Sequence, residues 1–325
     1  MNNEWAFAPM TSSNSLLGDS DAVRARLRED GYLYFRDVVD HAPLIELRRK
    51  MLTIMERTGW VMSKPLMRGV AISGPYREGD PEYFEVYDEI QKLEEFHVLA
   101  HHAAVLGIMR QVVGETAFPH PLKVARIAFP TNYAASTPPH QDYLNNQGTQ
   151  DLTAAWMPLS DCPMELGSLA ILRGSNHFGV LPLQFHLGPG NRRAVIPPDM
   201  LQELRWVTSN FGLGDVVLFP SLTIHAALHN AAPGRLRLSV DYRYQCEGQA
   251  LTPIVLEPHF GRLSWEEIYA GWKSDQHQYY WKDLNYEVVP FDQTEFDKSK
   301  DPGDFKEYVR YEWIQQRRRS QEGGD

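Results

Sequence analysis

The sequence predicts a mainly β fold, a sandwich or barrel, with α-helices flanking it. Three observations predict this. From about Lys123 onward the chain is written as short β-type runs separated by Pro, Gly, Asn and Asp. Upstream of Lys123, apolar residues recur at helical spacing. The 325 residues are 43% hydrophobic and 23% charged, the balance of a folded chain long enough to bury a substantial core.

The first twenty residues, rich in Ser, Asn and Gly, predict a loose lead-in. Asp21 to Gly31 follows as an amphipathic helix, with Val23 and Leu27 four apart, an acidic start and a glycine stop. Tyr32 to Val39 reads as a strand. Pro43 to about Gly59 returns to helical spacing through Leu44, Leu47, Met51 and Met55, and residues 81 to 114 do so through Tyr87, Ile90, Leu93, Phe96 and Leu106. The β-type runs are 124–129, 152–157, 168–172, 215–219 and 237–244. Near the C-terminus, SWEEIYAGWKSDQHQYYW places Ser264 three residues before Glu267, a capping-box pattern ahead of Ile268, Tyr269 and Trp272. The expected organisation is a lead-in (1–20), one domain with N-terminal helices (21–250), and a C-terminal helical and aromatic appendage packed on it (251–325), whose final QQRRRSQEGGD is frayed.

Forty-two acidic against thirty-two basic residues give a net charge of -10, which repels a phosphate backbone and argues against nucleic acid as a partner. The short basic clusters Arg48-Arg49-Lys50, Arg192-Arg193 and Arg317-Arg318-Arg319 read as solvated surface. Cys162 and Cys246 are too few for a disulfide scaffold and predict reduced thiols in a cytoplasm. Neither a signal-peptide pattern nor a long apolar run is present, so no membrane association is expected.

Chemistry concentrates in Thr137-Pro-Pro-His-Gln-Asp-Tyr143. His140 and Asp142 are two apart and share one face of an extended strand. A second imidazole from a distant strand would complete the two-histidine, one-carboxylate set suited to non-haem Fe(II), and His225, after the run Leu218 to Ile224, is the best candidate. His229 competes with it. Twelve residues beyond His225, Arg237 and Ser239 again share a face, and a guanidinium with a neighbouring hydroxyl suits the distal carboxylate of a dicarboxylic cosubstrate. Arg235 falls on the same face of a regular strand and remains an alternative to Arg237.

H-x-D, a distant His and R-x-S, together with DLTAAWMPLSDCPMELGSLAILRGSNHFGVLP and the upstream GYLYFRD, resemble the phytanoyl-CoA dioxygenase family of Fe(II)- and 2-oxoglutarate-dependent oxygenases over roughly residues 20 to 246. The resemblance implies a double-stranded β-helix, or jelly roll, in which His140, Asp142 and His225 bind iron while Arg237 with Ser239 holds 2-oxoglutarate. It also implies that O2 and 2-oxoglutarate are consumed and that succinate and CO2 are released as a small-molecule substrate, of natural-product type, is oxidised, most simply by hydroxylation. Family spacing favours His225 over His229. Trp156 matches a family tryptophan beside the cosubstrate, with core packing as the alternative. Lys123 lies where the family often places a side chain near 2-oxoglutarate, with a surface lysine as the alternative. Halogenating relatives lack the metal carboxylate that Asp142 retains, which disfavours halogenation. The aromatic residues Trp265, Tyr269, Trp272, Tyr279, Tyr280 and Trp281 either cap the barrel mouth or pack a terminal helix, and residues 143 to 150 could reach substrate. The competing readings are a barrel that binds without turnover and a cupin-type site with another metal set. Neither substrate identity nor oligomeric state is legible.

Overall fold

The computed structural model describes residues 6–130, 136–185 and 192–292; the basic cluster at 317–319 and the C-terminal tail fall outside them. β1 (Phe7–Pro9) opens the chain, and Met10 behind it is buried. From Phe7 on, the stretch expected to be loose is therefore tied down through its backbone, including a bridge from Ser12 to Tyr34. Its polar composition hid this because main-chain pairing is indifferent to side chains. α1 (Ser20–Asp30) is capped as expected. The Asp19 side chain accepts from the Ala22 N–H, and Gly31 closes the helix at φ 70, where a Cβ would meet Asn176 Oδ1 at 2.4 Å.

β2 (Leu33–Phe35) is shorter than 32–39, because Asp37 turns the chain at φ 51 and the Val38 and Val39 N–H groups both donate to Gly214 O. α2 (His41–Arg57) buries Leu44, Leu47, Met51 and Met55, as the spacing requires. It also buries Arg48, which the sequence placed on a solvated surface. The helical stretch 81–114 divides into α3 (Pro81–Gln91), α4 (Glu94–Val98) and α5 (Ala103–Val113). The breaks fall at Leu93 (ψ 117) and His102 (ψ 130), and the His102 ring caps α5 through the Ala104 N–H.

Then come β3 (Ala117–Pro119), β4 (Val124–Ala128), β5 (Thr153–Pro158), β6 (Leu169–Leu172), β7 (Leu183–Phe185), β8 (Arg192–Ala194), a short α6 (Pro198–Glu203), β9 (Trp206–Thr208), β10 (Val216–Pro220), β11 (His225–Ala227), β12 (Arg237–Cys246) and β13 (Ala250–Leu251). α7 (Trp265–Tyr269) and β14 (Glu287–Val288) complete the described elements. One sheet runs β2-β10-β5-β12-β3, with β4 also on β12, and the other runs β1-β9-β6-β11. Trp156, Val217, Phe219, Leu169, Ile171 and Val207 fill the space between the sheets. Alternate residues of the same strands, Ala155, Met157, Val216, Leu218, Leu238 and Val240, pack with the helices. The core is thus a jelly roll with a helical layer on its larger sheet.

The expected helix through residues 264–281 is α-helical only in α7, where the Ser264–Glu267 capping box is present, and a separate 3-10 turn begins at Tyr280. Tyr279 at φ 51 breaks any continuation. The aromatic residues instead form a cluster of their own that docks on the N-terminal helices. The Trp272 indole N–H donates to Lys92 O, and Trp265 lies against His97. Both cysteines are free, Cys162 buried and Cys246 partly so. Among the described residues no helix is long and apolar enough to cross a membrane.

Candidate metal centre

His140 and His225 are brought together by the backbone. Each donates its N–H to the other's carbonyl at 3.0 Å, leaving ring centroids 4.1 Å apart. Each ring also donates from Nδ1 to a carbonyl two residues earlier, His140 to Pro138 O (2.8 Å) and His225 to Thr223 O (3.0 Å). A carbonyl only accepts, so the proton sits on Nδ1 and Nε2 keeps its lone pair for a ligand. Both Nε2 atoms lie 3.9 Å from Asp142 Oδ1, and all three residues are buried. Their donor atoms fall within 4.8 Å of one another, and among the described residues no other group of three His, Cys, Asp or Glu does so. The convergence differs from the strand geometry read from sequence. Asp142 has φ -71 and ψ -30 and begins a 3-10 turn over Tyr143–Asn145, so a turn, not the pleat, swings its carboxylate beneath the rings.

Burial pushes the Asp142 carboxyl up, but the Arg243 guanidinium more than offsets this and holds it below the usual carboxylate range. Arg243 does so through two charge-assisted bonds, Nε to Oδ2 at 3.1 Å and Nη2 to Oδ1 at 2.9 Å. Burial lowers the pKa of both histidines, and His225 adds to the depression at His140. Two neutral imidazoles and one carboxylate result, a donor set that matches ferrous iron and leaves coordination positions open.

β12 supplies the rest of the site. Arg237, Ser239, Asp241 and Arg243 alternate along it toward the barrel interior, while Leu238, Val240, Tyr242 and Tyr244 face the helices. Arg237 Nη1 and the Trp156 indole N–H both donate to Ser239 Oγ, each at 3.0 Å. Arg237 is buried, makes no ion pair, and its Nε has no partner. His140, His225, Trp156, Arg126, Arg237 and Asp241 line one cavity. A buried guanidinium with an unmet donor in the cavity of the histidines fits a carboxylate ligand.

Of the residues singled out in the sequence, His140, Asp142, His225, Arg237, Ser239 and Trp156 come together. Lys123 does not. On β4, Val124 and Arg126 pair with Asp241 and Ser239, so Lys123 has the opposite parity. It lies away from the cavity, its ammonium donating to His120 O, Pro121 O and Tyr280 Oη. It is no surface lysine either, being fully buried. His229 lies outside the metal cluster, its Nδ1 paired with Ser136 Oγ. Arg235 precedes β12 and bridges to Val70, outside the cavity that contains Arg237. Sequence reasoning missed Arg243 on the Asp142 carboxylate and Arg126, which bridges Asp241 (2.7 Å) and Glu78 (3.2 Å) in the cavity wall. The signal for Arg243 was present in Arg-Leu-Ser-Val-Asp-Tyr-Arg, where the two-residue spacing that joins Arg237 to Ser239 continues to 241 and 243.

A jelly roll with two imidazoles and a carboxylate converging inside it, and a buried guanidinium in the same cavity, defines a non-haem iron oxygenase that takes 2-oxoglutarate as cosubstrate. The chain belongs to the phytanoyl-CoA dioxygenase (PhyH) family, which it matches over residues 27–238. It is 26% identical over 251 residues to a 1-deoxypentalenic acid 11-beta-hydroxylase of Streptomyces arenae, covering 74% of this chain and 86% of that one. The same enzyme of Streptomyces exfoliatus is 25% identical, with 71% and 82% covered. Among solved structures, the epimerase SnoN in complex with Fe3+, alpha ketoglutarate and nogalamycin RO shares the fold with a TM-score of 0.54 at 19% identity, over 72% of this chain and 86% of that one. The non-haem alpha ketoglutarate dependent carbocyclase SnoK shares it with a TM-score of 0.50 at 21% identity, over 79% and 94%.

Proposed function

We propose that this protein hydroxylates a small natural-product substrate, that His140, Asp142 and His225 are its Fe(II) ligands, and that Arg237 and Ser239 anchor the distal carboxylate of 2-oxoglutarate. The observation that carries the cosubstrate assignment is the Arg237 guanidinium, buried beside the histidines with one donor unmet and no carboxylate paired to it. The hydroxylase relatives support the natural-product class and the reaction type. When bound, the metal supplies O2 activation coupled to oxidative decarboxylation of 2-oxoglutarate to succinate and CO2.

The chain's own residues position and exclude. Pro138 O and Thr223 O fix the imidazole tautomers, Arg243 keeps Asp142 ionised and oriented, and Ser239 holds Arg237. Trp156 fixes the Ser239 hydroxyl from the opposite side and forms an apolar wall beside Phe211. A neighbouring cavity shares Arg126, Thr137, Ala227 and Arg237 with that of the histidines and is also lined by Tyr76, Glu78 and Phe129.

Anaerobic titration of the iron-loaded protein with 2-oxoglutarate, followed by the visible charge-transfer band, tests this reading. A saturable band is expected, needing far more cosubstrate in Arg237→Ala. Absence of a band with iron bound, or an unchanged titration in Arg237→Ala, would overturn it and favour another metal chemistry or a silent binding barrel.

A further inference from the structure

Outside the catalytic cavity a second pair of cations is held without a counter-ion. Arg48 projects from the buried stripe of α2 and is only 3% exposed. One arm, Nη2, donates to Met67 O at 3.1 Å, and the other, Nη1, is buried with no partner. Arg235 pairs through its backbone with the 66–71 segment against which Arg48 lies; it is half-buried, and its Nε is likewise buried and unpartnered. Among the described residues neither arginine takes part in an ion pair. The charge of Arg235, after burial itself, lowers the pKa of Arg48 to about 10, so the two act on each other as like charges in a desolvated place.

The backbone around them is fixed. Val70 bridges to Arg235, Ala71 N–H donates to Gly234 O (2.7 Å), and Leu236 N–H donates to Gly69 O (2.9 Å). At Gly69 a Cβ would stand 3.0 Å from Arg48 Nη2, so the guanidinium lies against bare main chain. An arginine cannot discharge itself by losing a proton, and a desolvated guanidinium beside a like charge, each with an unmet donor, destabilises a fold unless an anion joins them. We propose that Arg48 and Arg235 form a binding site for a small inorganic oxyanion of the sulfate or phosphate type, separate from the 2-oxoglutarate site. The unmet Nη1 of Arg48 and Nε of Arg235 can each donate to an oxygen of a tetrahedral anion, and partly exposed Arg235 provides the way in. An anion there pins α2 to the 66–71 segment and to the turn that leads into β12 two residues before Arg237.

The probe is radiolabelled inorganic sulfate, measured by equilibrium dialysis against the iron-loaded protein without oxygen, at ionic strength fixed with sodium chloride. One saturable site per chain is expected, displaced by phosphate and not by chloride. Arg235→Gln should weaken it about tenfold or more, the loss of a charge-assisted bond, while Arg235→Lys keeps part of the affinity and Arg237→Ala keeps all of it. The thermal midpoint of the wild-type protein should rise with sulfate concentration and not with chloride, a readout that needs no variant. No saturable uptake, or uptake lost in Arg237→Ala and kept in Arg235→Gln, would overturn the assignment. The proposal does not depend on the oxygenase reading, and a failed 2-oxoglutarate titration would leave it standing.

Discussion

Ser239→Ala tests the cosubstrate anchor at one atom. Ser239 Oγ already accepts two donors, the Trp156 indole N–H and Arg237 Nη1, each at 3.0 Å. A hydroxyl has two lone pairs and one proton, so both acceptor positions are filled and the O–H is left to donate. Ser239 is fully buried in the wall shared with Arg237, where the acceptor that fits is the carboxylate Arg237 would hold. Replacing it by Ala removes one hydrogen bond to a charged group, worth about 1.5–3 kcal/mol, and so weakens 2-oxoglutarate by about ten- to a hundredfold. Two buried donors are stranded as well, which lowers stability but leaves the three metal-binding residues untouched. Iron content should therefore stay normal while the anaerobic 2-oxoglutarate titration shifts, KM for 2-oxoglutarate rises and kcat at saturation changes little. Ser239→Thr, which keeps the hydroxyl, should retain most of the affinity. A dissociation constant for Ser239→Ala within twofold of wild type, with iron bound, would refute the reasoning.

Other perturbations separate metal binding from structure. His140→Ala and Asp142→Ala each remove one of the three proposed ligands and should purify with little iron and no succinate production; full iron occupancy with normal turnover would remove the metal assignment. Asp241→Ala takes away the nearer of the two carboxylates on partly buried Arg126 and should destabilise by less than the about 3–5 kcal/mol of a fully buried pair, because Glu78 still faces the guanidinium. The urea midpoint measures this, and an unchanged midpoint would argue against a structural role for the pair. Lys123 gives a pH signature: burial pushes its ammonium down to about 7, against about 10.4 in an unfolded chain. Between those values the unfolded chain carries the extra proton, so folding stability climbs with pH by up to about 1.4 kcal/mol per unit. Lys123→Met should flatten that climb in denaturation curves between pH 7 and 10, and an identical slope would show that Lys123 is not its source.

What the sequence made legible was whatever a local period or a cap decides. α1 and the capping box of α7 follow from side chains that bond within one turn, and the inward pair Arg237 and Ser239 follows from the two-residue period of a strand. The rest turned on where a period was anchored. Lys123 was given a role by the family resemblance, yet it immediately precedes β4 with parity opposite to that of Arg126, which occupies the cavity wall. Asp142 reaches the metal position through a turn whose φ and ψ no period encodes. Arg48 shows a charge class overriding a position: it lies four residues after Leu44 and three before Met51, on the apolar stripe of α2, and that spacing, weighed against its chemistry, marks it as buried.

β12 shows why the site is as rigid as these predictions assume. Its inward residues carry the guanidinium, hydroxyl and carboxylate of the cavity and the arginine on Asp142, while its outward residues are locked to the helical layer. Tyr242 and Tyr244 donate their hydroxyls to Phe96 O and Ala100 O, at 2.7 Å each, in the segment between α3 and α5. Alternation on one strand therefore couples the two faces: a shift of one residue in register would turn Leu238 and Tyr242 into the cavity and Arg237 and Arg243 into the helical core. Burying two unpaired guanidinia among Leu, Val and Tyr is far costlier than any single lost contact, so the helices, which contribute no metal-binding residue, fix the register on which Arg237 and Arg243 depend. Substitutions at Phe96 or Ala100 that loosen these contacts should accordingly weaken cosubstrate binding before they abolish the fold, and their effects on 2-oxoglutarate affinity should be non-additive with Ser239→Ala if they act through the position of β12.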